Sequence, residues 1–130
     1  MPYIRVRIAT NQTDRPTAKV AQMVTNLAVQ ALGKNAAAAV ADVQFQDPST
    51  WFVGGESMLA THETGFYVEI KVTAGTNTRD QTAAFVKQVF EQMQAIFGDV
   101  VATSYVVVHS VDSANWGYGG QTQEYRYIHG

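Results

Sequence analysis

Few side chains in this sequence have the types and spacing of common catalytic sites. There is no cysteine among the 130 residues, which excludes disulfides, thiolate catalysis and cysteine-ligated metals. The three histidines, His62, His109 and His129, do not have the spacing of metal ligands. The glycines do not follow the G-x-G-x-x-G pattern of a dinucleotide-binding loop. We therefore expect neither a metal site nor a cofactor.

The composition is that of one small globular domain. Hydrophobic residues make up 46% of the chain and charged residues 15%, and the formal net charge is −2. A near-neutral chain without a basic cluster argues against nucleic-acid binding. No apolar run approaches the roughly 20 residues that span a membrane, and arginines stand where a secretion signal needs an apolar stretch. These features predict a cytoplasmic protein without a membrane partner.

The elements that position any site form an internal repeat. Residues 2–8 read PYIRVRI and residues 66–72 read FYVEIKV. Apolar and polar residues alternate in both segments, which predicts strands with one face on a core. The opposite, polar face would be free to contact neighbouring subunits. It carries Tyr3, Arg5, Arg7, Tyr67, Glu69 and Lys71.

A helical pattern follows each of these strands. Pro16 suits the first turn of the first helix, and Thr78 with Gln81 can form a capping box at the start of the second. Gly33 and Gly98 suit the two helix ends. The apolar stripes of the two helices comprise Val20, Val24, Leu27, Ala31, Phe85, Val89, Met93, Ile96 and Phe97.

Both copies close in the same way. A second strand is predicted at residues 40–46 and 105–111, and the motif Trp-x-x-Gly-Gly follows at Trp51 and Trp116. Paired glycines permit the positive φ angles of a tight turn, so a short hairpin is predicted after each unit. Residues 56–65 are predicted to link the two copies.

These elements predict an α+β fold made of two tandem β-α-β units related by a pseudo-twofold axis. A helix between two strands usually makes the strands parallel. Two units, at 1–58 and 66–123 of a single domain, would then share a four-stranded sheet with two helices on one face. The order βαββαβ also describes ferredoxin-like domains, in which the first and last strands pair in an antiparallel sheet. That alternative does not require the repeated hairpins.

The ordered combination of these features resembles the tautomerase superfamily. The resemblance is carried by Pro2 directly after Met1, the strand PYIRVRI, the capped helices and the Gly-Gly hairpins. Longer members of that superfamily, such as the cis-3-chloroacrylic acid dehalogenases and malonate semialdehyde decarboxylases, fuse two β-α-β units and form trimers. The resemblance therefore implies a homotrimer, with residues 43–48 and 52–55 most similar to the dehalogenase branch.

The resemblance also implies a mechanism. After removal of Met1, the Pro2 amine would act as a general base or acid on small 2-oxo or 2-hydroxy-unsaturated carboxylic acids, because an apolar pocket lowers the pKa of an amine. A neutral Pro2 could instead form an iminium with a carbonyl. The matching residue of the second unit, Phe66, has no amine, so each chain has at most one such site. If Met1 is retained, the Pro2 nitrogen is an amide and the base is absent.

The carboxylate-binding residues of the superfamily are replaced in this sequence. The positions of its usual arginines read Gln12, Ala41 or Asp42, Thr73 and Thr76. The dehalogenases also carry an acidic residue near the last hairpin, and that position reads Gly117. A tautomerase or isomerase is therefore favoured over a dehalogenase, a hydratase or a decarboxylase. A non-catalytic trimeric relative is the remaining alternative.

Other residues can contact the substrate in place of the missing arginines. Arg79 is predicted in the first turn of the second helix, after Thr73, Thr76 and Asn77, where helix-start amides favour an anion. A solvated surface arginine is the alternative for Arg79.

The last hairpin supplies two further substrate-binding candidates. Trp116 and Tyr118 can form the dry pocket that lowers the pKa of Pro2, or they can simply pack the hairpin. Arg126 lies in the tail, where it is either solvated or reaches the site of a neighbouring subunit.

Overall fold

Two β-α-β units share one sheet in the computed structural model, which describes residues 2–130. In chain order the elements are β1 (Tyr3–Ala9), α1 (Thr17–Leu32), β2 (Val40–Gln46), β3 (Phe52–Val53), β4 (Glu56–Ser57), β5 (Gly65–Thr73), α2 (Arg79–Phe97), β6 (Tyr105–Val111), β7 (Gly117–Tyr118), β8 (Gln121–Thr122) and α3 (Gln123–His129). The retention of Met1, on which the Pro2 mechanism depends, lies outside the described residues.

The central sheet has the order β2-β1-β5-β6. Strands β1 and β2 are parallel, as are β5 and β6, and the two units meet along the antiparallel pair β1 and β5. Arg5 faces Glu69 in that pair, and the pseudo-twofold axis that relates residues 2–8 to residues 66–72 passes there. The predicted fold class is confirmed. The ferredoxin-like alternative is wrong, because β1 pairs with its own unit's second strand in a parallel direction.

The core lies between one face of the sheet and the two long helices. Alternation along the central strands directs every second side chain into it, and the helical stripes cover that face. The fully buried side chains of this core include Ile4, Val6, Ile8, Val20, Val24, Phe66, Val68, Ile70, Val72, Phe85, Val89 and Met93. The polar face of the sheet is thereby left on the opposite side.

Local capping fixes the ends of the helices. The Thr78 hydroxyl accepts a hydrogen bond from the Gln81 amide, and the Gln81 side chain accepts one from the Thr78 amide, so the predicted capping box is confirmed. Gly33 ends α1 in the left-handed conformation, with φ of 67°. Pro16 differs from the prediction. It precedes the first turn as the N-cap residue, because Thr17 begins the helix and the Pro16 carbonyl accepts from Val20 at 3.0 Å.

A two-stranded hairpin follows each unit, as predicted. Strands β3 and β4 pair around the first glycine pair, and β7 and β8 pair around the second. The segment predicted as a linker is more structured than expected, since it contains β4 and a 3-10 turn at Met58–Ala60, with Met58 buried. The second hairpin leads into the seven-residue helix α3, which the sequence analysis does not predict.

None of the helices formed by residues 2–130 is long and apolar enough to cross a membrane.

Candidate functional site

A cavity of about 310 Å³ lies at the start of β1, where the first unit meets the last hairpin. Pro2 is buried in its wall. The described residues that line it are Pro2, Tyr3, Ala37, Ala38, Ala39, Val40, Trp116, Gly117 and Tyr118. The structure therefore brings together three of the residues that the sequence singles out, namely Pro2, Trp116 and Tyr118. We call this space the Pro2 cavity.

The first unit fixes the backbone at Pro2. The Val40 amide donates to the Pro2 carbonyl at 3.1 Å, which extends the parallel pairing of β1 with β2 to the end of the chain's first strand. A 3-10 turn at Ala36–Ala38 precedes β2, and the Asn35 side chain caps this turn by accepting from the Ala37 amide at 3.0 Å. Short alanine side chains therefore line one side of the cavity and leave space beside the proline ring.

The last hairpin forms the opposite wall, and it is tied to the rest of the second unit. The Trp116 indole N–H donates to the Thr73 hydroxyl at 3.2 Å, and the Trp116 carbonyl accepts from the Gln123 amide at 2.9 Å. The Arg126 guanidinium lies over the Tyr118 ring, 3.9 Å from its centroid, and donates to the Tyr118 carbonyl at 2.8 Å. These contacts hold both aromatic residues in position.

The Pro2 cavity is uncharged on its described lining. Tyr3 is one of the lining residues, and its hydroxyl donates to the Asp42 carboxylate at 2.6 Å. This hydrogen bond, with a smaller contribution from burial, raises the pKa of Tyr3 above its usual value of 10.0. Tyr3 therefore stays protonated at neutral pH, and its proton is directed at Asp42 rather than into the cavity.

Thr73 and Thr76 line a different cavity, which lies behind the last hairpin and measures about 550 Å³. Lys34 and Arg126 line it with them. The sequence does not single out Lys34, whose only local signal is its place directly after the helix-ending Gly33. The sequence places Arg126 in the tail, and its contact with Tyr118 depends on α3, which the sequence does not predict.

Arg79 and Asn77 lie outside the linings of both cavities. The Asn77 amide group donates to the Leu32 carbonyl at 2.8 Å and to the Gln81 side chain at 3.0 Å, so it joins the end of α1 to the start of α2. Arg79 is exposed on the first turn of α2. Their contact with a substrate stays a prediction.

Within residues 2–130, no group of three or more histidine, aspartate or glutamate side chains is placed to hold a metal ion. A groove of about 570 Å³ runs between the two long helices, but it is lined mainly by amide and alkyl side chains of α1 and contains no residue of the predicted site.

Comparison with known proteins relates the chain to one family. Residues 67–125 match the model of a family described as tautomerase enzyme. No curated protein sequence matches the chain.

Solved structures with the same fold cover nearly the whole chain. A fused 4-OT called Q0, a symmetric trimer, is 19% identical with a TM-score of 0.81, over 95% of this chain and 98% of that one. Pt0534, solved after inactivation by 2-oxo-3-pentynoate, is 15% identical with a TM-score of 0.81, over 94% and 96%. FG41 malonate semialdehyde decarboxylase, inhibited by 3-bromopropiolate, is 16% identical with a TM-score of 0.74, over 98% and 96%.

Proposed function

We propose that this chain is a member of the tautomerase superfamily and a proline-dependent tautomerase or isomerase of small 2-oxo or 2-hydroxy-unsaturated carboxylic acids; the family match of its second unit and its fold support this. The observation that carries the proposal is the position of Pro2, buried in the wall of an uncharged cavity next to Trp116 and Tyr118.

Pro2 acts as the base in this proposal. With Met1 removed, its nitrogen is a secondary amine, and a cavity without lining charges favours the neutral form because burial disfavours the ammonium. The neutral nitrogen takes the proton of an enol hydroxyl. The enol oxygen becomes the carbonyl oxygen. The electrons of the C=C double bond then form a C–H bond with the proton of the Pro2 ammonium. Proline is regenerated, and neither an oxidant nor a cofactor is consumed.

The assay that tests the proposal follows the enol form of phenylpyruvate as it converts to the keto form. We expect a saturable rate in proportion to enzyme concentration. A rate equal to that of buffer alone, in protein lacking Met1, would favour a non-catalytic relative.

The substrate's carboxylate needs a cation, which the described lining of the Pro2 cavity does not contain. We propose that a neighbouring subunit supplies this cation in a homotrimer. Three fused 4-OT structures that share this fold are trimers. The polar face of the sheet, which exposes Arg5 and Arg7, is available for such contacts.

The homotrimer predicts a solution mass of three chains. Light scattering of the untagged protein across a dilution series measures this mass directly. A monomer or a dimer at the concentrations used for the enol assay would contradict the proposed assembly.

A further inference from the structure

A further cavity lies at the start of β5, at the opposite end of the central sheet from Pro2, because β1 and β5 run antiparallel. Its volume is about 330 Å³, close to the 310 Å³ of the Pro2 cavity. We call it the Phe66 cavity. Its described lining includes Trp51, Phe52, Val53, Phe66, Thr103 and Tyr105, and none of these residues lines the Pro2 cavity.

The pseudo-twofold axis relates the Phe66 cavity to the Pro2 cavity. Phe66 is the residue of the second unit that matches Pro2. In the opposite wall, Trp51 begins the first Trp-x-x-Gly-Gly motif as Trp116 begins the second. Each cavity therefore lies between the start of one unit and the hairpin that follows the other unit.

The two cavities differ in the group at their shared position. The Phe66 nitrogen is a backbone amide, and it donates to the Ser104 hydroxyl at 3.1 Å. The Phe66 ring is buried and lies against the Phe90 ring, with 6.0 Å between the ring centroids. An amide that already donates a hydrogen bond is neither a base nor a nucleophile. The Phe66 cavity therefore lacks the amine that the proline mechanism needs.

The lining of the Phe66 cavity favours an uncharged aromatic ligand. Its described residues carry no charge, and burial raises the pKa of Tyr67, one of them, above its usual value of 10.0. A charged ligand would lose hydration there without gaining a counter-charge. Phe52 and Tyr105 are 60% and 66% exposed, so two large aromatic side chains of the lining remain mostly unpacked. A flat ring packs favourably against such side chains.

The Trp51 indole adds a hydrogen-bond donor. The matching Trp116 indole N–H donates to the hydroxyl of Thr73, which ends β5. Ala9 ends β1 and has no hydroxyl to accept from Trp51. The Trp51 N–H has no acceptor among residues 2–130, and its nitrogen stays accessible to solvent. A ligand with an acceptor oxygen can pair with this donor.

We propose that the Phe66 cavity binds a small, uncharged aromatic molecule, whose ring packs against Phe52 and Tyr105 and whose oxygen accepts from the Trp51 indole N–H. The cavity binds this molecule without converting it, because it has no amine. The described linings of the two cavities share no residue, so the inference does not depend on the proposed function.

Methyl NMR of the untagged protein tests the proposal with three compounds of similar size, namely phenol, cyclohexanol and benzoate. We expect phenol to cause saturable shifts of the Val53 and Thr103 methyl groups, with intermolecular NOEs from its ring protons to both. Cyclohexanol has no aromatic face and benzoate carries a charge. Each should therefore bind at these methyl groups about tenfold more weakly than phenol.

Two variants alter the Phe66 cavity. Trp51→Phe keeps an aromatic ring and removes the N–H donor, so we expect it to weaken phenol binding by about two- to tenfold, as the loss of one hydrogen bond does. Val53→Trp places a larger side chain in the lining and should abolish the phenol shifts, read at the Thr103 methyl group.

Matched controls make the same changes in the second hairpin. Trp116→Phe and Tyr118→Trp alter the matching positions of the Pro2 cavity and should leave phenol binding at Thr103 unchanged. The proposal is overturned if phenol causes no saturable shift at Val53 and Thr103, or if cyclohexanol or benzoate binds there as tightly as phenol. It is also overturned if Trp51→Phe and Val53→Trp, both shown to be folded by thermal unfolding, bind phenol as tightly as the original protein.

Discussion

Pro2→Ala is expected to lower the rate of phenylpyruvate ketonisation by about 10²–10⁴-fold, the usual contribution of a positioned general base. The variant still has an amine at its terminus after Met1 is removed. It lacks the ring that fills the wall of the Pro2 cavity, so the amine is no longer held in one orientation. The fold should persist, because the Val40 amide bonds to the backbone carbonyl of residue 2 and not to its side chain.

Pro48→Ala is the matched control for this variant. Pro48 begins the 3-10 turn before the first hairpin and is absent from the lining of the Pro2 cavity. We expect Pro48→Ala to keep the original kcat, with any loss appearing in thermal stability. Equal turnover by Pro2→Ala and the original protein would remove Pro2 from the mechanism.

Gly117→Ala is expected to lower kcat/KM by about 10²-fold, because a displacement of around 1 Å in a site wall can have that effect. An added Cβ at Gly117 would overlap the Gln121 carbonyl oxygen and would lie 2.6 Å from the Thr122 Cα. Both contacts are backbone, so the pair β7 and β8 must open. Trp116 and Tyr118 flank Gly117, and opening the hairpin moves both from the Pro2 cavity.

Gly98→Ala provides the control for backbone strain alone. Gly98 has φ of 84° at the end of α2, with open space around the position of a Cβ, so alanine there is strained without a steric overlap. We expect this variant to lose thermal stability and to keep its activity. If Gly117→Ala and Gly98→Ala lose comparable kcat/KM after correction for the folded fraction, the loss in Gly117→Ala does not come from the hairpin wall of the Pro2 cavity.

The sequence predicts most of the fold because its signals are local and repeated. Alternation in the strands, the Thr78 capping box and the two Gly-Gly turns each specify a conformation without reference to the rest of the chain. The sequence does not predict helix α3, and the reason is physical. Tyr127 is 91% exposed and Ile128 is 67% exposed, so this helix places no apolar stripe in the core, and its main local signal is the Thr122 side chain that caps it.

The candidate site was less predictable, since its chemistry depends on packing between the units. The sequence leaves two roles open for Trp116 and Tyr118, packing of the hairpin or a pocket around Pro2, and the structure places both in the lining of the Pro2 cavity. The sequence does not predict that Lys34 and Arg126 line one cavity, because this needs the end of α1 and α3 to reach the same place. Partial burial lowers the pKa of Lys34, and no local sequence pattern reveals that burial.

The most direct test of the central claim is an NMR titration of the Pro2 nitrogen in untagged protein labelled with ¹⁵N-proline. The account predicts a nitrogen that titrates as an amine, with a pKa below the range of about 7.7–8.0 that is usual for a chain terminus. The same sample should have an intact mass lacking one methionine. A pKa above that range would contradict the general-base role, and a nitrogen that does not titrate would show that Pro2 is an amide and that the base is absent.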